Sequence, residues 1–318
     1  MLKTYGWEDG KLVCLSPEET VRAAWFDLES ATEEETDFVT RESGLPLPGY
    51  ADLTEIEQSS RLSTNGPVLT LSMPIVTRTA EGLQAGVCGF VLSPDRLVTL
   101  RFSPSLVFDH FIGQPHSIGT PPSACLFAAL LETIVDRQAD ALETLRTELD
   151  QLSHKIFHHR MAGKARATEL EMQAMLVTLG RDYDTISVLR DSQLGVARIA
   201  TYAATATDWI PKTIRHRLES VQKDISSLNE YSTHLTDKVQ FLLDSTLGLI
   251  NISQNALIKV LTIVSIAGIP PTLIAGIYGM NFHIIPELSW TYGYAYAWAA
   301  MIFSAVAPLL WFRQKGWI

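Results

Sequence analysis

Cysteine is scarce: Cys14, Cys88 and Cys125 are three thiols in 318 residues, and nothing in their spacing suggests a metal site. A disulfide framework is not expected, and two of the three fall in apolar runs that read as core. The first 15 residues, MLKTYGWEDGKLVCL, hold no basic stretch followed by a long apolar run. No cleavable secretory signal is therefore expected, and the bulk of the chain is expected in the cytoplasm. Neither a phosphate-cradling glycine loop nor a nucleophile motif is present, which argues against an enzyme. Positive charge is short as well. Before Ala256 there are 22 basic and 34 acidic residues, a net −12. Such a body is a poor nucleic-acid binder and repels an anionic membrane surface, but it attracts divalent cations. The last scarcity is local, because from Ala256 onward only Lys259, Glu287, Arg313 and Lys315 carry formal charge. That tail reads as membrane-embedded.

What is present begins as a mixed α/β region. AAWFDL at 23–28 reads as a strand, and Thr32 with Glu35 forms a capping box that opens a helix closed by Gly44 and Pro46. Residues 68–76, 85–93 and 96–102 are β-branched runs bounded by Gly, Pro and Asp, as consecutive strands are. From Ser123 the period changes: Leu126, Leu130, Ile134, Leu142, Leu145, Leu149, Leu152 and Ile156 mark one face of a long helix. A second helical stretch runs from about Ala165 to Ala204. Between them His154, His158 and His159 invite a metal-site reading. A basic helix end that complements the macrodipole explains them better, since no Asp or Cys follows at ligand spacing.

Pro211 opens the most regular stretch. Leu218, Val221, Ile225, Leu228, Leu235, Val239, Leu242 and Leu249 follow a 3-4 spacing, with Ser232 and Thr246 in the two remaining slots. This is a heptad seam, expected to assemble the stalk from several copies. No Gly-Pro break separates it from the apolar run that follows, so one helix of roughly 100 Å is expected to continue into the membrane.

Residues 260–278 and 292–312 are free of charge and long enough to cross a bilayer core. Lys259 before the first span and Arg313 and Lys315 after the second place both termini in the cytoplasm by the positive-inside rule. Two helices per chain enclose no pore, so a conduit requires several copies around an axis. Asn255, Ile258, Thr262, Ser265, Ile269, Thr272 and Gly276 share one face of the first span. Small polar residues at that depth serve either close helix packing or the lining of a water-filled path, and the stripe alone fits both. Pro270 and Pro271 need not break the helix, since neighbours in a membrane compensate for the lost bonds.

Tyr278-Gly279-Met280-Asn281-Phe282, then Pro286-Glu287-Leu288, Trp290, Gly293 and a second span ending in WFRQKGWI, resembles the CorA family of divalent-cation channels. The match is densest over residues 251–318. The resemblance implies an α+β membrane protein: a homopentamer with a cytoplasmic α/β funnel, a long stalk helix continuing into the first transmembrane helix, and a second C-terminal transmembrane helix. The implied divisions are 1–210 for the cytoplasmic α/β and helical domain, 211–279 for stalk and first span, 280–291 for the external loop, and 292–318 for the second span and cytoplasmic tail.

Carried over by position, Gly279, Met280 and Asn281 form the selectivity motif, with Asn281 as the outer ring that meets hydrated Mg²⁺. Asn255, Ile258, Leu261, Thr262, Ile269, Thr272 and Gly276 line the pore, and Ile258 and Leu261 form a hydrophobic gate. Glu287 in the external loop, repeated in each copy, raises the local cation concentration. His283 and Ile285 replace the Glu and Met often found there, which weakens the case for a strongly acidic mouth. The implied activity is passive Mg²⁺ uptake across the cell inner membrane, extending to Co²⁺ and Ni²⁺. Closure by intracellular Mg²⁺ is implied too, with Glu219 and Asp224 as contributing carboxylates or simply parts of a solvated helix face. The chemistry agrees, because Mg²⁺ dehydrates reluctantly and a carboxamide ring engages its outer shell without binding too tightly to release. The alternatives are a zinc or other divalent-cation transporter of the same superfamily, against which Met280 counts, and a membrane-tethered coiled-coil scaffold without a pore. Magnesium, further copies of the chain and the lipid bilayer are the expected partners, and nucleic acid is not.

Overall fold

The computed structural model describes residues 1–8, 11–16, 18–55, 61–79, 82–114, 122–161, 169–281 and 285–316. Its β-branched runs pair into one mixed sheet of β1 (Leu2–Glu8), β2 (Lys11–Cys14), β3 (Trp25–Glu29), β4 (Leu62–Asn65), β5 (Val68–Thr79), β6 (Gly82–Leu92) and β7 (Leu97–Arg101). The strand order is β2-β1-β3-β7-β6-β5-β4, with neighbours antiparallel except β3 and β7, which run parallel. Four of these strands follow the runs read from the sequence. The others carry weaker signals, since β1 is interrupted by Gly6 and β4 is an exposed edge of sequence LSTN.

Alternation sorts each strand onto two cores. Leu69, Leu71, Met73, Ile75, Cys88, Phe90 and Leu92 bury one face under the long helices. Phe26, Leu28, Val91, Val98 and Leu100 bury the other with Val39, which belongs to helix α1 (Glu33–Ser43). Both halves of the Thr32/Glu35 capping box form, and Gly44 ends α1 at φ 68°, a left-handed conformation suited to glycine. The parallel pair is locked by a buried ion pair: Arg101 donates to Asp27 at 2.7 and 3.0 Å and meets Glu29 at 2.8 Å. Thr99 donates to Asp27 at 2.8 Å and accepts from the Trp25 indole at 3.0 Å, so both carboxylate oxygens are engaged.

Helices α2 (Tyr50–Thr54) and α3 (Leu106–Ile112) are short connectors, and α4 (Pro122–Met161) and α5 (Glu169–Ala206) are long. All eight residues of the apolar face read from Leu126 to Ile156 are buried. Helix α6 (Lys212–Tyr278) is continuous for 67 residues, roughly 100 Å at 1.5 Å per residue. Its seam corrects the sequence reading. Leu218, Val221 and Ile225 are buried in the same core as Leu126 and Leu130 of α4 and Val196, Ile199 and Ala203 of α5. Leu235, Val239 and Leu242 are likewise buried within the single chain. The seam up to Leu242 is thus covered by the chain's own residues and not by copies, because heptad spacing specifies a face to be covered without specifying what covers it.

Two units result, Met1–Leu243 and Asp244–Ile318. The boundary expected at 210/211 is where α6 begins, whereas the compact units divide inside α6, because its first half packs with the sheet and helices of the first unit. The second unit holds the remainder of α6 and helix α7 (Gly293–Gln314), the two helices long and apolar enough to cross a membrane. Cys14 is exposed, Cys88 and Cys125 are buried, and all three are free thiols. The side chains of His158 and His159 lie outside the described residues, and His154 is exposed.

Candidate ion pathway

The membrane half of α6 is built from Ile, Val, Leu, Ala and Gly, with Ser and Thr on one side. At 100° per residue the seven stripe residues from Asn255 to Gly276 fall within about 100° of arc. Ile258 and Ile269 are 60% and 64% exposed in the single chain, and Leu261 is 67% exposed. Asn255, Thr272 and Gly276 are exposed and Thr262 is half-buried. One shallow open groove runs along Ser265, Ile269, Thr272, Gly276 and Met280. The hydroxyls of Thr262 and Thr272 donate back to Ile258 and Gly268, each at 2.8 Å. Their donors are satisfied within the helix, and their oxygen lone pairs remain available on the stripe.

Pro270 and Pro271 stand inside α6 without interrupting it. Neither has an N–H, so the carbonyls of Ile266 and Ala267 lack the donor that normally lies four residues on. The helix ends at Tyr278, where Gly279 N–H donates to Ala275 at 2.9 Å and Met280 N–H tightens onto Ile277 at 3.3 Å. Gly279 does not take the left-handed conformation, which is found at Gly44, Gly66 and Gly316. Its lack of a side chain instead relieves a close approach, since a Cβ there would stand 3.1 Å from the Ala275 carbonyl oxygen. Asn281 follows outside the helix, exposed, and its carboxamide has no hydrogen-bond partner among the described residues.

Phe282 and His283 lie outside the described residues, and the return begins at Ile285. Pro286–Ser289 forms a 3-10 turn closed by the Ser289 hydroxyl donating to Pro286 at 2.8 Å and the Trp290 N–H to Glu287 at 3.2 Å. The Trp290 ring meets Tyr296 edge-on at 5.8 Å, tying the turn to α7. Gly293 is where glycine is required by space: a Cβ would sit 2.3 Å from the Glu287 carbonyl oxygen. The loop thus closes on the start of α7 with the Glu287 side chain half-buried. Sequence reading named Gly293 without seeing this constraint, which no local pattern announces.

The two carboxylates considered for regulation are separated by the structure. Glu219 is exposed and pairs with His216 at 3.1 Å on its own helix. Asp224 is exposed and lies near enough to Asp136 of α4 to act on it. Partial burial, with Glu132, Asp140 and Asp224 adding their charge, holds the Asp136 carboxyl above the usual range. Glu132 is matched by Arg217 at 2.6 Å and Asp140 by Arg137 at 3.3 Å, whereas Asp136 and Asp224 have no cation partner among the described residues. The repeat of acids at 132, 136 and 140 on one helix face was available in the sequence as a signal for this cluster.

Comparison with known proteins places this architecture. A family model described as CorA-like Mg²⁺ transporter protein matches residues 22–314. The magnesium transport protein CorA of Escherichia coli strain K12 is 31% identical over 325 residues, covering 100% of both chains. The complete structure of the CorA magnesium transporter from Methanocaldococcus jannaschii superposes with a TM-score of 0.77 at 20% identity, covering 100% of this chain and 99% of that one. The ZntB cytoplasmic domain from Vibrio parahaemolyticus superposes with 0.55 at 10% identity over 78% of this chain and 97% of that one. These two structural likenesses establish fold alone. The family match spans five of the seven strands, the long helices and both candidate spans, and this chain belongs to the CorA family of Mg²⁺ transporters.

Proposed function

We propose that five copies of this chain form a passive Mg²⁺ channel of the cell inner membrane, with both termini cytoplasmic, 1–210 and 211–279 as funnel and stalk with first span, 280–291 as the outer loop and 292–318 as the second span and tail. The observation that carries the reading is the open stripe on α6, which runs up to an exposed Asn281 whose carboxamide has no hydrogen-bond partner among the described residues. Copies of that face around an axis give rings of Asn255, Thr262, Thr272 and Gly276, with Ile258 and Leu261 as a dewetting constriction. Asn281 forms a neutral ring that accepts from the water shell of Mg²⁺, and Gly279 and Met280 set its backbone. Glu287 supplies one carboxylate per copy near the mouth. Lys259, Arg313 and Lys315 support the cytoplasmic placement of the span ends.

Inside the cell, Mg²⁺ holds the channel closed by bridging carboxylates, and Asp224, which has no cation partner among the described residues and lies near Asp136, is the better supported contributor; Glu219 is occupied by His216. Co²⁺ and Ni²⁺ permeate the same path, since their hydrated forms resemble that of Mg²⁺ in charge and shape.

Purified protein in liposomes tests this. Mg²⁺ flux is expected without a proton gradient, and Asn281→Ala is expected to reduce it at least ten-fold with insertion and oligomer size intact. Near-normal flux through a correctly assembled Asn281→Ala protein would remove the pore assignment. Zn²⁺ flux that exceeds Mg²⁺ flux and follows a proton gradient would select the zinc-transporting alternative.

A further inference from the structure

Polar groups interrupt the apolar packing of the three long helices in the first unit. Gln138 of α4 donates to Ser192 of α5 at 2.8 Å, and the Gln193 amide of α5 bonds the Ser232 hydroxyl of α6 at 3.2 Å. Each is a neutral pair. Asp182 of α5 is different: it is 2% exposed, and its Oδ2 is buried with no hydrogen-bond partner among the described residues. The charges acting on it are Glu148 of α4, of like sign, and Arg181 of its own helix. Arg181 is exposed, and adjacent helical positions do not share a face. Arg146 of α4, two residues from Glu148, is engaged by Asp150, as is Lys238 of α6. Burial, with Glu148 adding to it, pushes the Asp182 carboxyl up to about 6.

An ionised carboxylate in this position has lost water at Oδ2 without gaining a donor or a cation there among the described residues. A protonated one carries no charge to solvate, so its packing costs far less, although the neutral group still lacks a hydrogen-bond partner at Oδ2 among the described residues. We infer that Asp182 is a protonation site of the cytoplasmic helices: proton uptake lets α4 and α5 close around a neutral carboxyl, and proton release leaves an unpaired carboxylate facing Glu148 that loosens them. The consequence is that acidification of the surrounding solution stiffens this bundle. The direction follows from linkage. A carboxyl whose folded-state value lies above the ordinary 3.8 contributes most stability below 3.8, and that contribution is lost as pH rises through about 6.

Hydrogen exchange on the full-length protein in nanodiscs, followed over α4 and α5 and corrected for the intrinsic pH dependence of exchange, tests the site without any ion flux. Its outcome is therefore independent of the pore proposal. Between pH 5 and 8 the opening equilibrium of these segments is expected to rise about ten-fold in the unmodified chain. Asp182→Asn is expected to remove that rise and keep protection at its low-pH level. Glu148→Gln, a milder change at the exposed partner, is expected to shrink the rise to a few-fold. The same rise in Asp182→Asn, or a flat profile in the unmodified chain, overturns the proposal. A third result would overturn it as well: Mg²⁺ at pH 8 restoring protection in the unmodified chain but not in Asp182→Asn would make this a cation site instead.

Discussion

Helix α6 carries the same 3-4 periodicity in both units, yet its two halves meet different surroundings. In the first unit Leu235 and Val239 are 1% and 2% exposed, covered by the same chain. In the second, Ile258 and Leu261 are 60% and 67% exposed. Apolar content does not distinguish them. The difference lies in what the rest of the chain can reach, since α4 and α5 share a core with α6 as far as Ile225, Asp150 and Phe157 of α4 meet Lys238 and Phe241 beyond it, and the second unit brings a lone helix of 22 residues. An amphipathic period is therefore a demand for burial, answered within the chain in one case and left to lipid or to further copies in the other.

Substitutions on the two halves break this comparison where it is sharpest. Leu235→Lys is expected to prevent stable folding of the first unit, because a buried, unpaired ammonium has no cation-accepting partner there. The paired Leu261→Ala is expected to leave thermal unfolding of that unit unchanged. Circular dichroism melts of both variants check this, and equal losses would show that the seam is not covered as described. Next in size is Arg101→Met, which strands Asp27 in the sheet and is expected to cost about 3–5 kcal/mol in denaturant unfolding. The first unit has such points of no tolerance throughout its core.

The second unit has a clear one in Gly293. Gly293→Ala must displace the Glu287 carbonyl, since the added Cβ would lie 2.3 Å away, and a cost of about 1–3 kcal/mol is expected. A lowered melting temperature of the detergent-solubilised assembly, with the first unit's own transition unmoved, is the signature. The smallest effect belongs to the capping box. Thr32→Ala is expected to cost about 1 kcal/mol. The backbone N–H of Thr32 holds the Glu35 carboxyl below its ordinary value, so its contribution is present above that value and lost as pH falls through the folded one. Melts of Glu35→Gln at pH 7 and pH 3 should therefore differ from the unmodified chain less at the lower pH.

Much of this architecture was legible in the sequence because its signals are local. The box at Thr32 and Glu35, the strands at 25–29 and 97–101 and the face from Leu126 to Ile156 each follow from spacing and turn chemistry. The membrane half was legible through absence of charge. What stayed hidden depends on contacts distant in sequence. Asp27 and Arg101 meet only because β3 and β7 are adjacent, the orphaned oxygen of Asp182 exists only once α4 and α5 pack, and β4 offers no apolar pattern of its own. The seam was misread for the same reason: its period was visible, its partner was not.

The paired prolines in the first span have a mechanical consequence. A helix resists flexure through the springs between successive turns, and two adjacent springs, those that would anchor the carbonyls of Ile266 and Ala267, are missing midway along the apolar run. Curvature imposed on the span concentrates at that level, and the segments on either side swing as stiff levers about it. Tilt delivered at one end of the span therefore reaches the other end attenuated.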